Sequence, residues 1–358
     1  MAEPCAEHFF GIEVTRRCNL RCPHCFTSSS GQAHPGPPRE LLEALLSDLG
    51  AGGIRAVAFS GGEPLLRPDL GELIRHGRSA NIEHFGLVTN GYLVNRNRAH
   101  ELVAAGLHNV QVSLDGVDAA DHCAVRGCEP RDFYRALRAI RAFLDEGITV
   151  DVACLLSPKN LRRAPEMAMF CEALGVRGLR YCTFVPTGRG ADPAVARTHA
   201  LDAEQADWFL EFMRHLNRQP GARLELFIDH GIGPWLESGE FECGSGKNVA
   251  YLSAEGDLYP CPSLLFPPFR IGSVLATPVR ELLASPAMAA VRSVSRSEIR
   301  GACATCSNLA CSGGCRGGAF AATGDVRGPV SYCNYASRER VAHGCERSAD
   351  CPLAGLRN

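Results

Sequence analysis

Along residues 9–186, short apolar runs alternate with stretches whose apolar residues return every three or four positions. The runs FFGIEVT (9–15), AVAFSG (56–61), HFGLVTN (84–90), NVQVSLDG (109–116), TVDVACLLS (149–157) and LRYCTFVP (179–186) predict strands. Helical patterns lie between them. In PPRELLEALLSDLG, Leu41, Leu42, Leu45, Leu46 and Leu49 share one face of a 3.6-residue period, with proline near the start. RDFYRALRAIRAFLDEG lines up Phe133, Leu137, Ile140 and Leu144, and Gly147 stops it. Strand and helix alternate every ~30 residues, the length of a right-handed βαβ unit feeding a parallel sheet. Six units predict an α/β fold built as an open, partial (β/α)6 barrel, although a doubly wound sheet has the same periodicity. Either fold puts chemistry at the carboxyl ends of the strands.

After residue 190 the pattern changes. GRGADPAVARTHALD reads as a loop, and AEQADWFLEFMRHLN (203–217) as one more helix. From about Cys243 the periodicity fades and cysteine and glycine become dense, as in a small domain held by metal. The expected organisation is a barrel domain over 8–235 and a cysteine-rich domain over 236–358.

Composition narrows the function. The chain has 358 residues, 46% hydrophobic and 21% charged, enough for one large core or two domains. A net charge of −2 gives no electrostatic basis for binding nucleic acid or acidic lipid. No run approaches the roughly 18–20 apolar residues that span a bilayer. MAEPCAEHFFGIEVT lacks the basic-then-apolar order of a secretion signal. The expected location is cytoplasmic, with no membrane and no nucleic-acid partner. Eighteen cysteines in a reducing compartment then point to metal or cluster ligation rather than disulfides.

Cys18, Cys22 and Cys25 follow the first strand in RRCNLRCPHCF. Thiolates are soft ligands that select zinc or iron–sulfur clusters. A structural zinc site closes with four ligands, and no partner pair lies near this triplet; part of a zinc site is the alternative for the triplet alone. Three thiolates on a 4Fe–4S cluster leave one iron open. The C-x3-C-x2-C triplet resembles the hallmark of the radical S-adenosylmethionine (SAM) superfamily, with His24 where that family usually has an aromatic residue before the last cysteine. The resemblance implies that the open iron chelates SAM and that one electron cleaves SAM to methionine and a 5′-deoxyadenosyl radical. That radical abstracts a substrate hydrogen atom, while the protein orients and excludes water.

Further motifs extend the resemblance. In FSGGEPLLRPDL, Gly61 and Gly62 let backbone approach a ligand closely, and Glu63 offers an acceptor for an ammonium. The tetrapeptide resembles the family's GGEP motif, which binds the SAM amino group. VTNG (88–91) and VSLDG (112–116) resemble family segments at the next two strand ends, with Ser113 and Asp115 as candidate polar contacts to SAM or substrate. HCAVRG (122–127) resembles the H-x-x-x-R-G segment. Arg126 can fork onto the SAM carboxylate, against the plain alternative of a solvated arginine. His122 is expected to pack or hydrogen-bond locally. FVPTGR resembles the last barrel motif, with Gly188 shaping the turn and Arg189 facing the mouth.

In the C-terminal part, Cys243, Gly256, Cys261, Cys303, Cys306, Cys311, Cys315 and Cys333 resemble the SPASM extension of radical SAM enzymes, with four rather than five residues between Cys306 and Cys311. The resemblance implies two auxiliary 4Fe–4S clusters, three clusters in all. Cys243, Cys261 and Cys315 would hold the first, and Cys303, Cys306, Cys311 and Cys333 the second; zinc is the alternative. The first set is one ligand short, leaving Asp229, His230, Glu240, Glu242 or an open iron. Asp229 and His230 are also the candidates for a catalytic base. Cys345 and Cys351 would complete a cluster, donate a hydrogen atom or do nothing. Cys123, Cys128, Cys154, Cys171 and Cys182 read mostly as small buried residues.

The resemblance implies first a peptide substrate, crosslinked, thioether-bridged or oxidised at a side chain. The second expectation is oxidation or epimerisation of a small molecule such as a sugar or aminoglycoside, or tetrapyrrole side-chain modification. A non-catalytic iron–sulfur electron carrier is the third. A flavodoxin or ferredoxin would supply electrons. The triplet begins at residue 18, which leaves no room for an N-terminal peptide-recognition domain, so a peptide leader is expected to need a separate recognition protein or direct capture by the barrel mouth.

Overall fold

The computed structural model describes residues 9–217, 223–228, 243–306, 311–330 and 333. All six expected strands form: β1 (Phe9–Thr15), β2 (Ala56–Gly61), β3 (His84–Thr89), β4 (Asn109–Ser113), β5 (Thr149–Leu155) and β6 (Gly178–Cys182). They pair in parallel in chain order. The crossovers are α1 (Arg39–Ala51), α2 (Leu70–Ser79), α3 (Arg96–Ala105), α4 (Ala119–Arg126) followed by α5 (Pro130–Asp145), and α6 (Ala164–Leu174). Leu42, Leu45, Leu46 and Leu49 of α1 are buried, as the period requires. On α5 the buried stripe is rotated toward Phe133, Ala136, Ile140 and Phe143, and Leu137 and Leu144 are half-buried. Alanine at 136 lets the helix sit closer to the sheet than the apolar pattern alone implies.

Four strands stop earlier than their apolar runs. Leu114 N–H still donates to Ala153 O (2.9 Å), but the next ladder position is taken by a side chain: Asp115 Oδ1 accepts from Leu155 N–H at 2.7 Å. A carboxylate has replaced a backbone carbonyl, which ends the regular strand at the point where the site begins. The GRGADPAVARTHALD stretch, expected as a loop, contains α7 (Pro193–His199). Asp192 caps it by accepting from Ala194 N–H at 2.7 Å, and Pro193 supplies the preset φ of a first turn.

The sheet extends beyond the six strands at both ends. α8 (Ala203–Asn217) leads to β7 (Glu225–Ile228), parallel to β6. On the other side β8 (Val249–Leu252) pairs in parallel with β1. β9 (Asp257–Tyr259) and β10 (Gly272–Ser273) continue antiparallel from it. The order β10-β9-β8-β1-β2-β3-β4-β5-β6-β7 makes an open, partial barrel. Three short helices follow: α9 (Val279–Leu283), α10 (Pro286–Arg292) and α11 (Arg316–Thr323). The expected boundary near 235 lies outside the described residues.

The junction between β1 and the C-terminal strands depends on a buried carboxylate. Glu13 is fully buried; its oxygens accept from Arg16 Nε (3.1 Å), Arg16 Nη2 (2.7 Å) and Ala254 N–H (2.9 Å). Arg16 Nη1 reaches on to Glu255 at 2.7 Å. Burial raises the Glu13 pKa, and the Arg16 and Ala254 bonds oppose that rise. Glu13→Ala leaves Arg16 and the Ala254 N–H without their partner and is expected to cost ~3–5 kcal/mol in urea unfolding. Arg141→Ala, at a surface pair with Asp145, is expected to cost under ~1 kcal/mol.

Candidate active site

The carboxyl end of β1 runs into an irregular loop that closes on itself. Arg16 N–H donates to His34 O (2.9 Å), and Cys18 N–H to Ser30 O (3.0 Å). Within it Cys18 and Cys22 are buried and Cys25 is half-buried. Each sulfur faces at least one donor. Leu20 N–H points to Cys18 Sγ and Ser29 N–H to Cys25 Sγ, both at 3.4 Å, and Arg126 Nη1 approaches Cys22 Sγ at 3.9 Å. Burial pushes the Cys18 thiol up to about 12 and raises Cys22, with the neighbouring cysteines adding to the rise. Bare, these thiols stay protonated at neutral pH; as thiolates they need the positive charge of bound metal.

The turn after β2 touches that loop. Gly62 N–H donates to Thr15 O (2.7 Å) and Glu63 N–H to Arg17 O (2.8 Å). A Cβ at Gly61 would stand 2.2 Å from Thr15 O, and one at Gly62 2.2 Å from Arg17 O. The two glycines therefore serve the close approach of the chain's own backbone. Glu63 is fully buried. Its Oε1 accepts from Thr89 Oγ1 (2.7 Å) and Leu65 N–H (3.1 Å), and its Oε2 from Asn90 N–H (2.8 Å). Burial lifts its pKa to about 7 against those three bonds.

Asn90, which the motif reading passed over inside VTNG, relays this turn to the loop. Its amide donates to Asn19 Oδ1 at 2.8 Å and lies 3.9 Å from Cys18 Sγ. Its position immediately after a strand was the available signal.

From β4 comes a buried ion pair. Asp115 Oδ2 lies 2.6 Å from Arg126 Nε at the end of α4. The contact is close but off the N–H direction, so both atoms keep hydrogen-bonding capacity unused in a buried place. Burial would lower the Arg126 pKa, but Asp115 and Cys22 outweigh it and raise it. Arg126 is thus a half-buried cation, its Nε out of solvent, against a thiol, not a solvated surface arginine. Ser113 ends β4 half-buried. His122 is fully buried: its Nδ1 accepts from Asp115 N–H (3.1 Å), so the ring proton is on Nε2, which donates to Tyr92 Oη (2.8 Å). Burial, helped by Arg126, lowers the His122 pKa to about 4, so the ring is neutral.

β6 supplies the last brace. Arg189, expected at the mouth, turns inward: Nε donates to Cys22 O (3.0 Å), Nη1 to Ser29 O (2.6 Å), and its N–H to Cys25 O (3.0 Å). Gly188 has φ +55°, and a Cβ there would stand 2.3 Å from Phe26 O. His24 packs against His199 at 5.7 Å between ring centroids, and its Nδ1 lies 3.2 Å from Val125 O.

Six of the C-terminal cysteines act on one another in two groups of three. Burial raises Cys261, and Cys243 and Cys315 raise it further; Cys315 is pushed up to about 11 by burial and then Cys243. Cys303 is raised by burial and then by Cys311 and Cys306. Cys333 packs beside Val330 and Cys315. Arg316, 3% exposed, lowers both Cys303 and Cys315, and so lies within reach of both sets. Arg296 holds the carbonyls of Cys306 (2.6 Å) and Cys311. Among the described residues no group of three or more His, Cys, Asp or Glu converges to hold a single metal ion. None of their helices is long and apolar enough to cross a membrane. Asp229, His230, Glu240, Glu242, Cys345 and Cys351 lie outside the described residues.

Residues 12–171 match the radical SAM superfamily, and residues 243–307 match SPASM, an iron–sulfur cluster-binding domain. The mycofactocin maturase MftC of Mycobacterium ulcerans is 30% identical, with 92% of each chain covered. An AdoMet-dependent heme synthase of Nitratidesulfovibrio vulgaris is 27% identical, with 91% of this chain and 92% of the relative covered. Among solved structures, native anSMEcpe with bound AdoMet superimposes with a TM-score of 0.73 at 19% identity, covering 94% of this chain and 96% of that one. Streptococcus suis SuiB bound to S-adenosylmethionine gives 0.72 at 17%, covering 90% and 76%. These two likenesses are of fold. From the triplet after β1, the sheet it follows and these matches together, the chain belongs to the radical SAM superfamily and carries a SPASM iron–sulfur cluster-binding domain.

Proposed function

We propose that the chain is a SPASM-type radical SAM maturase that oxidises or crosslinks a peptide. The observation that carries the reading is the convergence of four strand ends on one loop of three thiols, each with its own donor and with no fourth protein ligand described beside them. Cys18, Cys22 and Cys25 hold a 4Fe–4S cluster with one open iron. When bound, that cluster supplies the electron that cleaves SAM and so the radical that takes a substrate hydrogen. The chain's own residues bind and orient. Arg126, half-buried and with Nε out of solvent and unsatisfied, takes the SAM carboxylate, and Asp115 holds the guanidinium in place. Glu63, with Gly61 and Gly62 shaping its turn, faces the SAM amino end, and Ser113 adds a polar contact. Tight packing of Glu63, Asn90 and Asp115 keeps water out of the floor.

Cys243, Cys261 and Cys315, and Cys303, Cys306, Cys311 and Cys333, hold two auxiliary clusters. The mutual influence of Cys243, Cys261 and Cys315, and of Cys303, Cys306 and Cys311, supports this division for those six. Clusters held there would supply an electron acceptor, the chemistry that net oxidation or bond formation needs after hydrogen abstraction. A flavodoxin- or ferredoxin-type donor fits the need for a one-electron supply. The peptide reading is supported by the mycofactocin maturase relative and by the fold shared with SuiB, solved with its precursor peptide SuiA. A second reading, tetrapyrrole side-chain modification, rests on the heme synthase relatives of similar length.

Anaerobic reconstitution is expected to load about twelve irons per chain, and SAM with dithionite to yield 5′-deoxyadenosine. The Cys18/Cys22/Cys25 triple alanine variant is expected to lose about four irons and all 5′-deoxyadenosine. A loaded wild type that forms none overturns the reading.

Arg126→Ala is expected to weaken SAM binding by roughly 10–100-fold, the range of a charge-assisted contact, while iron content holds. Equilibrium dialysis with labelled SAM measures it.

The substrate classes separate by mass spectrometry. A short peptide encoded beside this chain's gene is expected to lose hydrogen mass on incubation with holoenzyme, SAM and dithionite. An unchanged peptide alongside altered porphyrin side chains favours the second reading.

A further inference from the structure

Two thiols that the proposed function does not use stand close together at the end of α4. Cys123 lies in the helix, and Cys128 follows the left-handed Gly127 that caps it. Their sulfurs are 3.1 Å apart, with the Cys128 S–H donating to Cys123. A series of donors leads to this pair. Asp115 N–H donates to His122 Nδ1 (3.1 Å), which fixes the proton on Nε2; Nε2–H donates to Tyr92 Oη (2.8 Å); Tyr92 O–H donates to Cys128 Sγ (3.7 Å). Every donor points toward Cys123, so that sulfur is the acceptor at the end of the series. Both cysteines are half-buried, open enough for a small reagent, whereas Cys154 and Cys171 are buried.

We propose that Cys123 and Cys128 form a redox-active dithiol site for low-molecular-weight disulfides. The Cys123 thiolate attacks one sulfur of the incoming disulfide and expels one thiolate, which takes up a proton. The Cys128 thiol, on losing its proton, attacks the Cys123 sulfur of the mixed disulfide and expels the second thiolate. The two cysteines lose two electrons and two protons, and the reagent leaves as two thiols. Closure brings the sulfurs from 3.1 Å to ~2.05 Å, a short movement beside a glycine. The ring so formed runs from 123 to 128 and contains Arg126, whose guanidinium meets Asp115 and Cys22. Oxidation therefore acts on the residue proposed to hold SAM, a consequence that rests on the SAM-site reading.

The test uses the full reconstituted chain, held anaerobically with glutathione disulfide, then alkylated and cut with trypsin. Cleavage after Arg126 turns the disulfide into a link between peptides 99–126 and 127–131. The expected result is that linked pair, lighter by two hydrogens than its separate thiols. Cys128→Ser is expected to stop at a glutathione adduct on Cys123, and Tyr92→Phe to slow alkylation of Cys123 severalfold. Two free thiols in oxidised wild type, a persistent glutathione adduct on Cys123, or a Cys123→Ser variant whose Cys128 reacts as fast as wild type, overturns the site. SAM affinity is expected to differ severalfold between reduced and oxidised protein. Equal affinity overturns the coupling to Arg126, and absence of SAM binding in both forms counts against the SAM-site reading instead.

Discussion

The cysteine loop after β1 closes on itself through a few backbone bonds but forms no helix or strand, so much of its shape is imposed from outside. Its carbonyls are what the surrounding strand ends hold. Gly62 and Glu63 donate to Thr15 and Arg17, and Arg189 donates through backbone and side chain to Cys22, Cys25 and Ser29. Asn90 adds a side-chain bond to Asn19. A loop braced at carbonyls on both sides keeps its three sulfurs in fixed relation, which a multi-metal cluster needs more than it needs rigid side chains. The absence of Cβ atoms at Gly61, Gly62 and Gly188 follows from the same constraint, because each would collide with a loop carbonyl.

Charge is buried at several points, and each has a stated compensation. Glu13 has Arg16 and a backbone donor; Glu63 has three neutral donors and, among the described residues, no cation bonded to it; Asp115 and Arg126 face each other without aligned hydrogen bonds. The first is a structural joint. Glu63 is hydrogen-bonded but without a bonded counter-charge, the Asp115–Arg126 pair is left short of full satisfaction, and both lie at the strand ends beside the thiols. Buried polar groups with spare capacity are costly in an empty core, and they are the groups a charged ligand completes. Arg316 repeats the arrangement in the C-terminal part, where its Nη2 has no hydrogen bond and its charge reaches thiols of both sets.

Much of the fold was legible along the chain. The six apolar runs and their intervening helices formed within a few residues of the expected bounds, because strand and helix periods depend on near neighbours. The misses have particular causes. β7 and β8 are four-residue strands, too short to show a period. α7 was hidden by a polar sequence whose Asp-Pro start was the readable signal. β4 ended early because the Asp115 side chain replaced a backbone acceptor, a substitution visible only with β5 alongside.

The sequence by itself determined the spacing of the three cysteines, the glycine pair before Glu63, and the family those motifs share. These are local facts, set by residues a few positions apart. The tertiary structure decided what each side chain does. It turned Arg189 from the mouth onto the loop and set Arg126 against Asp115 and Cys22. The physical reason is the parallel sheet. It lays the ends of β1, β2, β3, β4 and β6 side by side, and so makes neighbours of residues separated by up to 167 positions, where no spacing rule in the chain can reach.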